Sequence, residues 1–139
     1  MKLIPYLAFD GRAEEALKFY AAALDARIDM VSRFRESPLD VPESYLDRIM
    51  HAHLSFADNG LMLSDAMPGQ PPTAGTQVAL SLNLDRDEDH ARRLFDRLAE
   101  GGRVTMPLAQ QFWGALFGMC VDRFGVSWMV NCQNEPAVG

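Results

Sequence analysis

The sequence predicts an α+β protein made of two βαβββ modules, and three observations carry that prediction. An amphipathic helical pattern occurs twice, each time directly after an apolar strand-like run. Each helical pattern is followed by three further strand-like segments, and the two series are separated by a connector rich in Pro and Gly. A chain of 139 residues, 48% hydrophobic and 23% charged, has the size and balance of one packed domain. The expected organisation is therefore a single domain with module one at 1–66, the connector at 67–75, module two at 76–132 and a tail at 133–139.

Residues Lys2 to Phe9 are mostly apolar and end at Asp10-Gly11, which reads as a strand closing in a turn. Ala13, Ala16, Leu17, Tyr20 and Leu24 then recur at helical spacing, with Glu14 and Glu15 in the first turn and Asp10 as the expected cap. Arg27 to Phe34 alternates as a strand, Arg35 to Arg48 is a long polar loop, and Ile49 to Ala57 alternates again. Asn59-Gly60 supplies the expected hairpin turn into a strand at Leu61 to Ser64.

The order then restarts. Val78, Leu80, Leu82 and Leu84 alternate with smaller or polar residues, and Ala91, Leu94, Phe95 and Leu98 line one face of a helix that opens after Asp85. Glu88 with Arg92, and Asp89 with Arg93, lace its outer face, and Gly101-Gly102 stops it. Strands are expected at Arg103 to Phe112, Ala115 to Asp122 and Val126 to Cys132. An offset of 75 pairs Leu7 with Leu82, Asp10 with Asp85, Ala16 with Ala91 and Tyr20 with Phe95. One residue inserted at the second glycine makes the offset 76 and pairs Arg27 with Arg103, Ile28 with Val104 and Met30 with Met106.

Charge and composition narrow the function. A net charge of −6, with no basic cluster beside aromatic partners, argues against nucleic acid as a partner. No apolar run approaches the roughly 20 residues of a membrane-spanning helix, and the N-terminal segment lacks a secretory pattern. No membrane partner and a cytoplasmic location are expected. Cys120 and Cys132 lie in apolar segments out of register with each other, so buried free thiols are expected instead of a disulfide. There is no Gly-x-Ser-x-Gly elbow, and no glycine-rich loop opens a helix to cradle phosphate.

A helix covers one face of each sheet, so a ligand belongs on the other. Alternation turns Val78, Leu80 and Leu82 to the helix and Gln77, Ala79, Ser81 and Asn83 to the open face. It likewise places Trp128 and Val130 inward and Ser127, Met129 and Asn131 outward. In the first strand Ile4, Tyr6 and Ala8 face the open side. His51 and His53, two apart on one strand, share a side and are the metal candidates, with Asp65 as a third ligand. The aromatic stretch Phe112-Trp113 to Phe117 suits a pocket wall or a core hairpin, and the Arg35–Arg48 loop suits a lid or an unstructured excursion.

The run of Pro5-Tyr6-Leu7, Ala13-Glu14-Glu15-Ala16, Phe19-Tyr20, Met50-His51-Ala52, Ser64-Asp65, Gly101-Gly102, Phe112-Trp113-Gly114 and Asp122-Arg123-Phe124-Gly125-Val126 followed by Trp128 resembles the PhnB-like branch of the glyoxalase/bleomycin resistance/dioxygenase superfamily, the vicinal oxygen chelate proteins. That resemblance implies paired βαβββ modules whose curled mixed sheets surround a cavity, and a homodimer. It also implies metal ligands on the first and last strands of each module. The matching positions here are Ile4, a residue among Met62 to Ser64, Gln77 and Met129, of which Gln77 alone could coordinate; one neutral amide holds a divalent ion weakly, so no cofactor is expected. Proteins resembling this one are sometimes labelled ubiquinone-pathway methyltransferases; with no glycine-rich loop for a nucleotide-like methyl donor, we discount that label. The expected function is binding of a small molecule by Tyr6, His53, Gln77, Ser81, Trp113 and Met129. The alternative is a metal-dependent glyoxalase or dioxygenase-type lyase or isomerase that uses His51 or His53 with Asp65 and a divalent ion.

Overall fold

The computed structural model describes residues 1–134 of the chain, so residues 135–139 of the expected tail lie outside the described residues. The chain divides into two compact units, Met1–Thr73 and one beginning at Ala74. The first contains β1 (Tyr6–Phe9), α1 (Ala13–Ala23), β2 (Arg27–Arg33), β3 (Ile49–Phe56) and β4 (Asn59–Asp65). The second contains β5 (Leu80–Asp85), α2 (Glu88–Ala99), β6 (Arg103–Gln110), β7 (Ala115–Val121) and β8 (Ser127–Gln133). Each unit is a four-stranded mixed sheet, ordered β1-β4-β3-β2 in the first and β5-β8-β7-β6 in the second. The first and last strands of each unit pair in parallel and the other neighbours are antiparallel. The same strand order in both units bears out the βαβββ repeat.

In the first unit α1 buries Ala13, Ala16, Leu17, Tyr20 and Ala23 over Ala52, Leu54, Leu61 and Leu63. In the second, α2 buries Ala91, Leu94, Phe95 and Leu98 over Leu116, Cys120, Trp128 and Val130. Apolar area removed from water contributes roughly 25 cal/mol per Å², so these two strips dominate the stability of each unit. Leu7 and Phe9 point to the helix side and Tyr6 and Ala8 are exposed, as alternation predicts.

Four local expectations need correction. Asp10 does not cap α1; it pairs with Arg48 at 3.1 Å, while Asp65 accepts from the N–H groups of Gly11 and Ala13 at the helix start. A carboxylate arriving from β4 meets the exposed positive end of the helix dipole, which a neighbour in sequence is not needed to do. Second, β5 begins at Leu80, so Gln77 and Val78 precede the strand, and Val78 is 73% exposed instead of packing on α2. Third, the extra residue of the second module lies within its helix: α1 spans 11 residues and α2 spans 12, and the positive-φ residues Asp25 and Gly101 that follow them correspond.

Fourth, Asn59 and Gly60 are strand residues, paired with Phe56 and Ser55, and the chain reverses at Ala57-Asp58. Ala57 has φ +49°, a left-handed conformation that costs a side-chain-bearing residue about 1–2 kcal/mol. Replacing Ala57 by Gly removes that strain and returns about 0.4–1 kcal/mol through the freer unfolded chain. The variant is expected to gain roughly 0.5 kcal/mol, seen as a higher urea midpoint with an unchanged slope.

The Arg35–Arg48 loop is ordered. Two single-turn 3-10 segments, Phe34–Glu36 and Glu43–Tyr45, interrupt it, and its ends are tied by Phe34 N–H to Arg48 O and Arg35 N–H to Leu46 O. Phe34 is buried, and the Arg48 guanidinium lies 3.9 Å from the centre of the Tyr45 ring.

Candidate functional site

Each unit presents the sheet face opposite its helix, and the strand registers say which side chains share it. In the first unit one row across the sheet runs Tyr6, Met62, His53, Met30. Alongside lie His51, opposite Ser32, and Ser55, opposite Arg27 and Gly60. In the second unit the corresponding row is Ser81, Met129, Met119, Met106, and the next is Asn83, Asn131, Phe117, Ala109. Leu80 and Leu82 pair with buried Trp128 and Val130 on the helix side, which leaves Ser81 and Asn83 exposed as expected.

The first face is polar at its centre. His53 Nδ1 lies 3.0 Å from Asp29 Oδ2, the Ser55 hydroxyl donates to the same oxygen, and Arg27 Nε donates to Asp29 Oδ1 at 2.7 Å. The Ser55 and Arg27 hydrogen bonds hold the Asp29 carboxyl below its usual range, so it remains an anion. Asp29 reaches this position through a β-bulge. Ile28 faces Leu54 and Met30 faces His53, so Asp29 is the extra residue between them with no partner across the strand. Tyr6 stacks on His51 with ring centres 5.7 Å apart, and its hydroxyl lies 3.1 Å from His51 Nδ1.

Gly60 belongs to this arrangement. A Cβ added there would sit 3.1 Å from His53 Nε2, so the missing side chain is what gives the imidazole its space. Its turn-like sequence context concealed this role.

The second face is apolar and amide-bearing. Trp113 stands edge-on to Phe117, 5.8 Å between ring centres, which places it beside that face. Phe112 meets Trp113 edge-on at 5.0 Å and is 97% exposed, so these aromatics do not close a core. Met129 lies on this face in mid-strand, and Asn83 Nδ2 donates to Ser81 Oγ at 3.2 Å.

The proposed third metal ligand is elsewhere. Asp65 is buried on the helix side of β4 with Leu61 and Leu63, whereas the histidines share the side of Met62. Its Oδ1 accepts from Gly11 and Ala13 and its Oδ2 from Ile49, so its oxygens are engaged by the backbone. The expectation that Asp65 joins His51 or His53 at an ion is thus corrected. Among the described residues no group of three His, Cys, Asp or Glu side chains is arranged to hold a metal ion. The positions at which the resemblance places ligands carry Ile4, Met62, Ser64, Gln77 and Met129, a donor set without an anion that does not fit a divalent cation.

Cys120 and Cys132 are free and buried, facing Trp128 and Leu116 across the strands. Burial, with a smaller contribution from Asp122, pushes the Cys120 thiol up to about 11. At pH 8 roughly one such thiol in a thousand is ionised, and the thiolate is the nucleophile. The native protein is expected to resist a thiol reagent at that pH and to react at both cysteines once unfolded in urea. The unfolded thiol ionises first as pH rises, so this group's contribution to stability is complete below about pH 9 and is lost progressively as pH rises to about 11. No helix among the described residues is long and apolar enough to cross a membrane.

Comparison with known proteins gives concordant matches. A family model described as 3-demethylubiquinone-9 3-methyltransferase matches residues 1–131. Protein PA1353 from Pseudomonas aeruginosa is 44% identical, with a TM-score of 0.86 over 96% of this chain and 98% of that one. The PhnB protein from Bacillus cereus is 26% identical, with a TM-score of 0.78 over 95% and 99%. A glyoxylase/bleomycin resistance protein/dioxygenase domain from Frankia sp. EAN1pec shares 15% identity and a TM-score of 0.69 over 97% and 92%, a likeness of fold.

Proposed function

Because this chain belongs to the PhnB-like family of the glyoxalase/bleomycin resistance/dioxygenase superfamily, we propose that it binds a small molecule on its open sheet faces without a resident metal. The observation that carries this reading is the composition of those faces. A surface meant only for water would carry charged side chains, and a surface meant for the core would be aliphatic. Here half-buried Phe117, Met119 and Met129 stand among Ser81, Asn83 and Asn131 on the second face, and half-buried Met62 and His53 stand beside the mutually paired Asp29 and Arg27 on the first, the mixture by which binding sites combine apolar contact with a few orienting polar atoms.

Tyr6 and His53 supply contacts on the first face, and Ser81, Trp113 and Met129 on the second; Gln77, from the segment before β5, is an accessory contact. The absence of an anionic donor at the superfamily's ligand positions supports the metal-free reading. The family description names methyl transfer, but both glycines near a helix in the second unit follow α2, where no phosphate would meet the helix N-terminus. Exposed Leu3 and Ile28 favour a homodimer, and the net charge favours small-molecule over nucleic-acid partners. The reading extends to a cytoplasmic protein.

Methyl-labelled methionine NMR tests the proposal. A screen of small aromatic and polar compounds is expected to shift the signals of Met129 and Met119, or of Met30 and Met62, saturably. A screen that moves none of them overturns it, as does zinc retained near one equivalent after dialysis, measured by elemental analysis.

A further inference from the structure

We propose that Asp29 and His53 form a proton-accepting pair for the hydroxyl of a phenolic ligand; this rests on the small-molecule reading and assigns one face its chemistry. The geometry begins at the bulge in β2. An inserted residue re-aims a side chain, and here it brings a carboxylate onto the imidazole of the facing strand. Arg27 and Ser55 secure that carboxylate from two sides, so Asp29 is positioned as well as charged. An anion 3.0 Å from Nδ1 accepts its N–H and fixes the tautomer in which Nε2 carries the lone pair. No hydrogen-bond partner satisfies that lone pair among the described residues, and the imidazole retains 29% of its exposure.

The internal repeat serves as a control. The second unit contains the same bulge: Val104 faces Cys120, Met106 faces Met119, and Thr105 is the extra residue. The positions of Asp29, His53 and Ser55 are taken there by Thr105, Met119 and Val121. The bulge therefore belongs to the module, whereas the carboxylate, imidazole and hydroxyl occur in one module only. Architecture alone does not require them.

The surroundings select the ligand. His53 lies in the row between Met62 and Met30, whose thioethers pack well on aromatic rings, and Tyr6 stacked on His51 borders the same face. A phenol lying there contacts sulfur and ring edges and directs its hydroxyl to Nε2. In the transfer the O–H bond breaks, its electron pair stays on the phenolate oxygen, and the proton bonds to Nε2. The imidazolium so formed is held by the Asp29 anion. No other reactant is needed.

The probe is 4-nitrophenol, whose phenolate is coloured. At a pH one unit below its own pKa, wild-type protein is expected to raise the phenolate absorbance several-fold over buffer, saturably, while His53→Gln and Asp29→Asn return it to the buffer value. His53→Gln keeps a donor for Asp29, so thermal melting checks that both variants remain folded. Gly60→Ala, which crowds Nε2, is expected to weaken the signal. Nitrogen-15 NMR of the free protein is expected to find His53 protonated at Nδ1, and in Asp29→Asn a mixture of tautomers. His53 protonated at Nε2 in the wild type, or 4-nitrophenol that fails to bind or binds without excess ionisation, overturns the pair. If methionine signals still report another bound ligand, the broader binding function stands while this assignment falls.

Discussion

Replacing Gly102 by Ala is expected to destabilise the second unit by about 3 kcal/mol or more, the upper end of what a single added methyl group does. A Cβ at that position would overlap the Val121 carbonyl oxygen and approach the Asp122 carbonyl carbon and Cα at 2.8 and 2.9 Å. All three are backbone atoms in or just after β7, so no rotamer change relieves the contact. Relief requires β6 to move away from β7, and Arg103 pairs with Val121 one residue later. Gly101 differs: its φ is +76°, and the nearest atoms to an added Cβ belong to the Arg123 side chain, whose Nε donates to Glu100 O at 3.1 Å and whose tip can shift more readily than backbone. Gly101→Ala should therefore cost about 1–2 kcal/mol, the ordinary left-handed penalty. Urea unfolding of both variants checks the order. Equal losses would mean that backbone conformation, and not strand approach, explains the pair.

This contrast also shows why parts of the fold were legible. The repeat is written in hydrophobic spacing, which every residue of a helix or strand contributes to, so the order of eight strands and two helices is legible, and with it the sheet face of most strand residues, though not of Val78 or Asp65. Ala26 and Gly102 occupy corresponding positions, yet only the second approaches a facing strand too closely for a side chain. Such differences depend on distances between strands, which no local pattern carries. Gly60 illustrates the same limit. Asn59-Gly60 reads as a turn, but the bend falls at Ala57-Asp58 and Gly60 instead makes room for His53 from a neighbouring strand.

The candidate site divides along the same line. His53, Ser81 and Met129 were legible because period two assigns a strand residue its face. Asp29 was not, because the bulge that delivers it breaks that period, and its only advance signal was a carboxylate inside an otherwise alternating strand. Gln77 and Val78 read as strand because their alternation continues into Leu80, although the ladder to β8 starts only at Leu80 and Trp128.

Replacing Asp65 by Ala is expected to cost about 4 kcal/mol. Hydrogen bonds to a charged acceptor contribute roughly 1.5–3 kcal/mol each, and a buried donor left without its partner loses about 1–3 kcal/mol. Asp65, only 4% exposed, accepts from Gly11, Ala13 and Ile49, so it ties the end of β4 to the start of α1 and the start of β3. Removing it leaves three N–H groups to compete for whatever water can enter. Asp65→Asn should lose about half as much, since one oxygen can still serve Gly11 and Ala13 while the amide N–H₂ meets the Ile49 N–H. Urea unfolding gives the magnitudes, and adding zinc or a chelator during the same titration separates a structural carboxylate from a metal ligand. A structural carboxylate leaves the wild-type midpoint unchanged by either addition. A midpoint that rises with zinc in the wild type, and fails to do so in Asp65→Asn, would return Asp65 to the metal-binding role that its three backbone partners now argue against.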